Sequence, residues 1–340
     1  MKVLFVNPFF FAHSALERQF RTFYFPLGLL YLAAVAREAG HDVAVFDGTF
    51  IPSEEAFADA LDAHQPAVVC IAGWVTVQPA ALRLASTAGS RGVRVIVGGP
   101  GPTASPAAYL EHQTIDAAVM GEGERTLVDL LAATAAGNDL RGVAGLALLS
   151  DDGSIIRTPR CEPIRDLDSL PLPARDLIDV GQYLAMWEAE HGYRSLTLAL
   201  TRGCPDESCP FCADSLIGAH HLRRRSVEDV VEEMRHLQGT YDVERFRLVD
   251  DLNRLERDWL AALGEAMIDA GVIVPYEGLN TVTHEDLPML AQTRDICHER
   301  NAWIPTQGRH GHAPPTDDVN LLRRRWEDAL LLDGEHLEDP

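Results

Sequence analysis

The run Ser195-Leu196-Thr197-Leu198-Ala199-Leu200-Thr201-Arg202-Gly203-Cys204-Pro205-Asp206-Glu207-Ser208-Cys209-Pro210-Phe211-Cys212 decides how the second half of the chain reads. Its first seven residues predict a strand, and Gly203 and Pro205 end that strand in a loop. Three thiols follow on the loop. Downstream, Val227–Gly239 carries helical periodicity, Glu244–Asp250 reads as a strand, Arg257–Ala270 as a helix, Val272–Gly278 as a strand and Glu285–Ala291 as a short helix. This alternation is the repeat of a parallel β/α barrel, and barrel enzymes keep their chemistry at the carboxyl ends of the strands. Three thiolates there can hold three irons of a four-iron, four-sulfur cluster and leave the fourth open. With His220 or His221 as a fourth ligand they can equally close a structural zinc site. Spacing alone does not choose between the two.

Upstream, residues 1–150 also alternate, and predict a doubly wound, Rossmann-like parallel sheet of five or six strands. The strands are Lys2–Asn7, Asp42–Asp47, Ala67–Ala72, Arg94–Val97, Ala117–Met120 and Gly145–Leu149. Helical stretches separate them at Leu27–Ala39, Ser53–His64, Ala80–Gly89 and Glu124–Ala135. Ligands of such sheets bind at the carboxyl ends of the strands. The loops there are Asn7-Pro8-Phe9-Phe10-Phe11, Gly73-Trp74-Val75-Thr76, Gly98-Gly99-Pro100-Gly101 and Gly121-Glu122-Gly123-Glu124. Glycine lets a ligand approach the backbone, and the next helix offers free N–H groups. Tight turns with no ligand would use the same residues, but four such loops in one unit favour a large ligand. Residues 151–194, with a turn at Asp151-Asp152-Gly153 and the proline-punctuated Leu167-Asp168-Ser169-Leu170-Pro171-Leu172-Pro173, read as a connector. A barrel segment over 195–295 and an irregular segment over 296–340 ending in a helix complete the division.

Composition excludes several classes. Of 340 residues 46% are hydrophobic and 24% charged, which is globular composition. A net charge of −22 repels phosphate backbones and anionic lipid, so neither nucleic acid nor membrane is an expected partner. The basic triplet Arg223-Arg224-Arg225 reads as a solvated helix approach, or at most a small-anion site. No apolar run is long enough to span a membrane, the first residues read as a strand and not as a leader, and six cysteines are too few for a disulfide scaffold. A cytoplasmic setting is expected.

Several segments together carry a resemblance. They are Pro26-Leu27-Gly28-Leu29-Leu30-Tyr31-Leu32-Ala33-Ala34 ahead of Gly40-His41-Asp42-Val43, Val97-Gly98-Gly99-Pro100, Gly121-Glu122-Gly123-Glu124, the connector Asp168–Asp176, Thr201-Arg202-Gly203-Cys204-Pro205 and Val249-Asp250-Asp251. In this order they resemble the cobalamin-dependent radical S-adenosyl-L-methionine enzymes over roughly residues 1–292. The resemblance implies a cobalamin-binding first domain and a radical S-adenosylmethionine barrel, and it favours the 4Fe-4S cluster over zinc. It implies that Cys204, Cys209 and Cys212 ligate the cluster and that Phe211 packs near the adenine. Asp250 and Asp251 would bind polar groups of S-adenosylmethionine or substrate, or else cap the next helix. Trp74 would lie under the lower face of the corrin, where an indole cannot ligate cobalt, or else simply pack in a crevice. Thr76, Gly98, Gly99, Gly121 and Glu122 would line the cobalamin site. No Asp-x-His-x-x-Gly motif is present to supply an imidazole ligand.

The implied reaction is methyl transfer from methylcobalamin to a carbon of a small natural-product or peptide intermediate, through a 5′-deoxyadenosyl radical. A non-methylating cyclisation or rearrangement, or a non-catalytic cobalamin-binding protein, are the alternatives. Two departures stand out. Four residues, not three, separate Cys204 from Cys209, and the 146 residues from Ser195 onward suit about four βα units where a family barrel has six. The expected barrel is therefore partial, with a protein partner as one way to complete it.

Overall fold

The computed structural model describes residues 1–13, 18, 23, 25–51, 53–203, 222–252, 257–272, 274–280 and 306–307. Strand β1 (Lys2–Asn7) is buried at all but its first residue, as befits a central strand covered on both faces. The period of two sends Val3 and Phe5 to one face and Leu4 and Val6 to the other. Helix α1 (Leu27–Glu38) buries Leu29, Ala33 and Ala34 on the first of these faces, and Gly40, at φ +84°, lets the chain turn back into β2 (Asp42–Asp47). Helix α2 (Ala56–His64) lies on the opposite face and leads to β3 (Val68–Ala72). Helix α3 (Gln78–Gly89) and β4 (Arg94–Gly98) follow, then the short helices α4 (Pro100–Ala104) and α5 (Ala107–Leu110) and strand β5 (Ala117–Val119). Helix α6 (Glu124–Ala136) returns to the face of α1, where Leu127, Leu130 and Leu131 are buried.

Strands β6 (Leu146–Leu149) and β7 (Ile155–Arg157) complete a sheet of order β2-β1-β3-β4-β5-β6-β7. The first five are parallel and the last two antiparallel. The doubly wound parallel sheet is present, but the strand expected at Gly145–Leu149 runs antiparallel. It opens a hairpin closed by the Ser150 N–H donating to the Ser154 carbonyl at 2.9 Å, a link far too short for a parallel crossover.

Helix α7 (Val180–His191) precedes β8 (Ser195–Leu198), which pairs in parallel with β11 (Arg245–Leu252). That strand in turn pairs with β12 (Tyr276–Asn280), and β12 with β13 (Thr306–Gln307). Helices α8 (Val227–Tyr241) and α9 (Arg257–Asp269) supply Val230, Met234, Leu237, Leu263 and Met267 to a core with Leu196, Leu198, Phe246 and Leu248. Among the described residues this is a partial barrel of four parallel strands. The strand expected to run through Thr201 stops at Leu198. Strand β9 (Thr201–Arg202) turns away to pair antiparallel with β10 (Arg223–Arg224). The helix expected at Glu285–Ala291 and most of segment 296–340 lie outside the described residues.

Buried polar contacts tie the connector to the second unit, and α7 to the first sheet. Glu233 of α8 is fully buried and accepts from Arg175 of the connector, Nη1 to Oε1 at 2.5 Å, and from the Arg225 guanidinium. Arg175 Nη2 also donates to the Thr197 carbonyl at 3.0 Å, and Arg225 Nη1 to that of Ala199 at 3.0 Å. Tyr183 of α7 donates to Asp47 Oδ2 at 2.8 Å and sits 2.8 Å from Thr49 Oγ1, capping the ends of β1 and β2. Phe23, Phe50 and Trp187 pack around it.

Candidate functional site

The order β2-β1-β3-β4-β5 reverses direction between β1 and β3, and a doubly wound sheet offers its ligand crevice at that reversal. A cavity of about 880 Å³ lies there. Its floor is the strand-end loops: Asn7 after β1, Gly73, Trp74 and Thr76 after β3, Gly98 and Gly99 after β4, Gly121, Glu122 and Gly123 after β5. One side is the start of α1, from Leu27 to Leu32. The far wall comes from the second unit: Ala199 just after β8, Thr201 and Arg202 of β9, Gly203, Arg223 of β10 and Val249 of β11. Strand ends of both units thus face one space, with mostly aliphatic walls.

Backbone lacing makes the floor stiff. Gly73 N–H donates to the Gly98 carbonyl at 2.7 Å, and Gly101 N–H to the Gly73 carbonyl at 3.0 Å. Thr103 Oγ1 donates to the Gly99 carbonyl at 2.8 Å and accepts from Gly121 N–H at 3.0 Å. Three loops are thereby joined. Gly99 is required by this lacing: it sits at φ +111°, and a Cβ there would fall 2.8 Å from the Gly73 carbonyl oxygen. Gly98 is different. Its Cβ would meet only Val119, at 3.5 Å, so its absence leaves backbone bare on the cavity wall. Gly28, exposed in the first turn of α1, also borders the cavity, and a Cβ there would meet nothing within 4 Å. Turn chemistry therefore explains Gly99, whereas open space lies beside Gly28 and Gly98.

Trp74 is half-buried and extended at the cavity floor, and Thr76 is exposed in the turn that follows. Glu122 does more than line the space. Arg223 grips it with two hydrogen bonds, Nη2 to Oε1 at 2.5 Å and Nη1 to Oε2 at 3.0 Å, and the Ile164 N–H donates to Oε2 at 2.9 Å. Burial works against its ionisation, but these hydrogen bonds and the Arg223 and Arg202 charges outweigh burial and hold the carboxyl below its usual range. Arg202 Nη2 donates to Glu124 Oε1 at 2.6 Å, and its guanidinium stands over the Tyr31 ring at 5.4 Å. Burial, reinforced by the Glu233 charge, pushes the Tyr31 phenol up to about 12, so it stays protonated.

Trp74, Thr76, Gly98, Gly99, Gly121 and Glu122, expected from the sequence to line one site, do share one cavity. Glu124, in a loop read as facing the ligand, is also there, and Gly28, Tyr31 and Arg202 join them without having been expected there. A glycine in the first helical turn was a readable signal for Gly28. The ion pairs were not readable, because the partners stand 78 and 101 residues apart. Of the triplet Arg223-Arg224-Arg225 only Arg224 is exposed: Arg223 is held by Glu122, and Arg225 is buried against Glu233 and Asp229. Asp250 and Asp251 lie within β11, so they are strand residues and not helix caps. Cys204, Cys209, Cys212 and Phe211 lie outside the described residues. The strands on either side of them in sequence, β9 and β10, pair at the cavity wall. Among the described residues no group of three His, Cys, Asp or Glu side chains could hold a metal, and no helix is long and apolar enough to cross a membrane.

Residues 15–131 match the B12 binding domain family. An uncharacterised methyltransferase of Pyrococcus horikoshii is 32% identical over 286 residues, 82% of this chain and 58% of that protein. Hopanoid C-3 methylase of Methylococcus capsulatus is 28% identical over 260 residues, 74% of this chain and 47% of the methylase. The chain spans about half the length of the curated relatives it matches. Among solved structures, the radical S-adenosylmethionine methyltransferase TsrM from Kitasatospora setae, with tryptophan and a S-adenosylmethionine analogue bound, superposes with a TM-score of 0.65. It is 16% identical, and the match covers 96% of this chain and 71% of TsrM. The cobalamin-dependent S-adenosylmethionine radical enzyme OxsB, with aqua-cobalamin and S-adenosylmethionine bound, gives a TM-score of 0.72 at 17% identity, over 95% of this chain and 45% of OxsB. A doubly wound sheet that opens at its β1/β3 reversal and matches the B12 binding domain over residues 15–131, joined to a β/α unit, gives this chain the fold of the cobalamin-dependent radical S-adenosylmethionine enzymes.

Proposed function

We propose that the chain binds cobalamin, S-adenosyl-L-methionine and a 4Fe-4S cluster and transfers a methyl group to a carbon of a small-molecule or peptide substrate. The observation that carries this is the shared cavity, with a doubly wound floor and a wall from the second unit. A macrocycle with an apolar face and a polar rim suits that space. Bare backbone at Gly28 and Gly98 leaves room for a ring, aliphatic walls exclude water, and Trp74 offers bulk with no metal-ligating atom. Gly98, Gly99, Gly121, Thr76 and Trp74 would hold the corrinoid, and Glu122 would fix the loop beside it. Cys204, Cys209 and Cys212 would ligate the cluster, Phe211 would pack near adenine, and Asp250 and Asp251 would bind polar groups of S-adenosylmethionine or substrate. When bound, these cofactors supply the one-electron and methyl-transfer chemistry, and the protein supplies position and dryness.

A second reading, cyclisation without methylation, draws support from the 29% identity with the anaerobic magnesium-protoporphyrin IX monomethyl ester cyclase of Synechocystis. Either way the test begins with protein reconstituted without air with iron, sulfide and hydroxocobalamin, then desalted. The expected result is a corrinoid spectrum and about four irons per chain, lost in Cys204→Ala. A colourless protein sinks the cobalamin assignment, and iron retention unchanged by Cys204→Ala sinks the cluster. Methylated product in place of a cyclised one, with 5′-deoxyadenosine released, separates the two readings.

A further inference from the structure

The two acids of the turn between β5 and α6 are used differently. Glu122 is saturated: Arg223 donates to both of its oxygens, and the Ile164 N–H donates to Oε2 as well. Glu124, at the start of α6, is not. Its side chain is only 6% exposed and its Oε1 accepts from Arg202 Nη2 at 2.6 Å, but Oε2 is buried with no hydrogen-bond partner among the described residues. A buried carboxylate oxygen without a donor is costly, which makes it a place where a ligand group gains by binding. Arg223 carries the complementary group. Its Nη1 and Nη2 are spent on Glu122 and the Ile164 carbonyl, while its buried Nε has no partner among the described residues. Glu124 and Arg223 both line the cavity, and Arg202, 2.6 Å from Glu124 and 3.9 Å from Glu122, sets them in one corner of it. Two acids against two arginines cancel there, so a neutral group suits the corner.

We propose that this corner binds one primary carboxamide of a ligand held in the cavity, its NH2 donating to Glu124 Oε2 and its carbonyl accepting from Arg223 Nε–H. A carboxamide carries donor and acceptor side by side on one rigid plane, whereas a carboxylate has no donor and would face Glu124 as a second anion. The last torsion of a glutamate is soft, so the carboxylate can turn its free oxygen to an arriving group. The assignment rests on the cobalamin reading above and deepens it, because the rim of a corrin ring carries primary carboxamides. The corner then reads one of them and fixes how the ring is rotated on the cavity floor. Glu124 and Arg223 are the binding residues, and Glu122 and Arg202 position them.

Corrinoid binding to the full chain, titrated by visible spectroscopy, decides the matter. The probes are hydroxocobalamin and a set of its monocarboxylic acids, each with one peripheral amide hydrolysed. In wild type one member of the set should bind at least about tenfold weaker than hydroxocobalamin, because its carboxylate meets Glu124. Glu124→Gln keeps an acceptor for Arg202 and offers N–H in place of Oε2, so the same member should come within about threefold of hydroxocobalamin in that variant. No weakened member in wild type, or a gap unchanged in Glu124→Gln, overturns the assignment. Where Glu124→Gln folds poorly, Arg223→Lys serves: it keeps a cation beside Glu122 but has no Nε–H, and should weaken hydroxocobalamin binding about tenfold. Unchanged binding in Arg223→Lys likewise overturns the assignment. If wild type binds no corrinoid, the cobalamin reading and the carboxamide corner fall together; if it binds every member alike, the corner alone falls.

Discussion

Glu233→Gln tests the lock between the connector and the second unit most sharply. The carboxylate is fully buried between two guanidinium groups that are themselves nearly so, at 5% and 4% side-chain exposure. The loss falls unequally on them. Arg225 keeps a counterion, with its Nε 2.6 Å from Asp229 Oδ2, but among the described residues Arg175 keeps the Thr197 carbonyl and the Phe25 ring, 5.9 Å away, and its Nε has no hydrogen-bond partner. The expected cost is thus that of one stranded buried charge, about 3–5 kcal/mol. With a urea slope of about 2 kcal/mol per molar for a unit of this size, the midpoint should drop by about 1.5–2.5 M. The assay is urea unfolding followed by tryptophan fluorescence, with Trp259 buried in the second core as reporter. Adding Arg175→Met removes the stranded charge and fills its place with an apolar chain, and should restore most of the midpoint. A drop under about 0.5 M, or no restoration by Arg175→Met, would mean that no charge is stranded.

Other outcomes follow from the cavity. Gly99→Ala should destabilise the first unit by roughly 1–3 kcal/mol through its positive φ, seen as a lower midpoint in urea. Gly98→Leu should leave that midpoint nearly unchanged and abolish hydroxocobalamin retention, because only its side chain beyond Cβ meets the cavity. Gly28→Leu should keep or slightly raise stability, by up to about 1 kcal/mol from helix propensity, while also blocking the corrinoid. The Glu122 carboxyl is held below its ordinary range in the folded protein, so its contribution is present above that range and is lost as pH falls through the lower folded value. Thermal midpoints of wild type and Glu122→Gln should therefore differ at neutral pH and converge on acidification. A gap that widens on acidification would mean that folding raises the Glu122 pKa instead of lowering it.

Much of the first unit was legible because its signals are local. Apolar runs such as Val68–Ala72 and amphipathic stretches such as Leu27–Glu38 carry their periodicity within a dozen residues, and the glycine loops sit at strand ends by chain order alone. The antiparallel hairpin was less so, because Leu146–Leu149 reads as a strand in either direction and only pairing sets its sense. The arginine triplet misled for the same reason: charge in sequence suggests solvent, and only folding brings Glu122 to Arg223 and Glu233 to Arg225.

Spacing along the chain was enough to specify two α/β units, a glycine-lined crevice in the first and three thiols at a strand end of the second, because each is a pattern of near neighbours. It took the packed molecule to establish that the two sets of strand ends face one cavity, that Gly99 is bound to the backbone lacing while Gly98 is open, and that the acids of one unit hold the arginines of the other. The paired acids and arginines stand 78 and 101 positions apart, and no local pattern encodes a contact that exists only when distant segments are buried against each other.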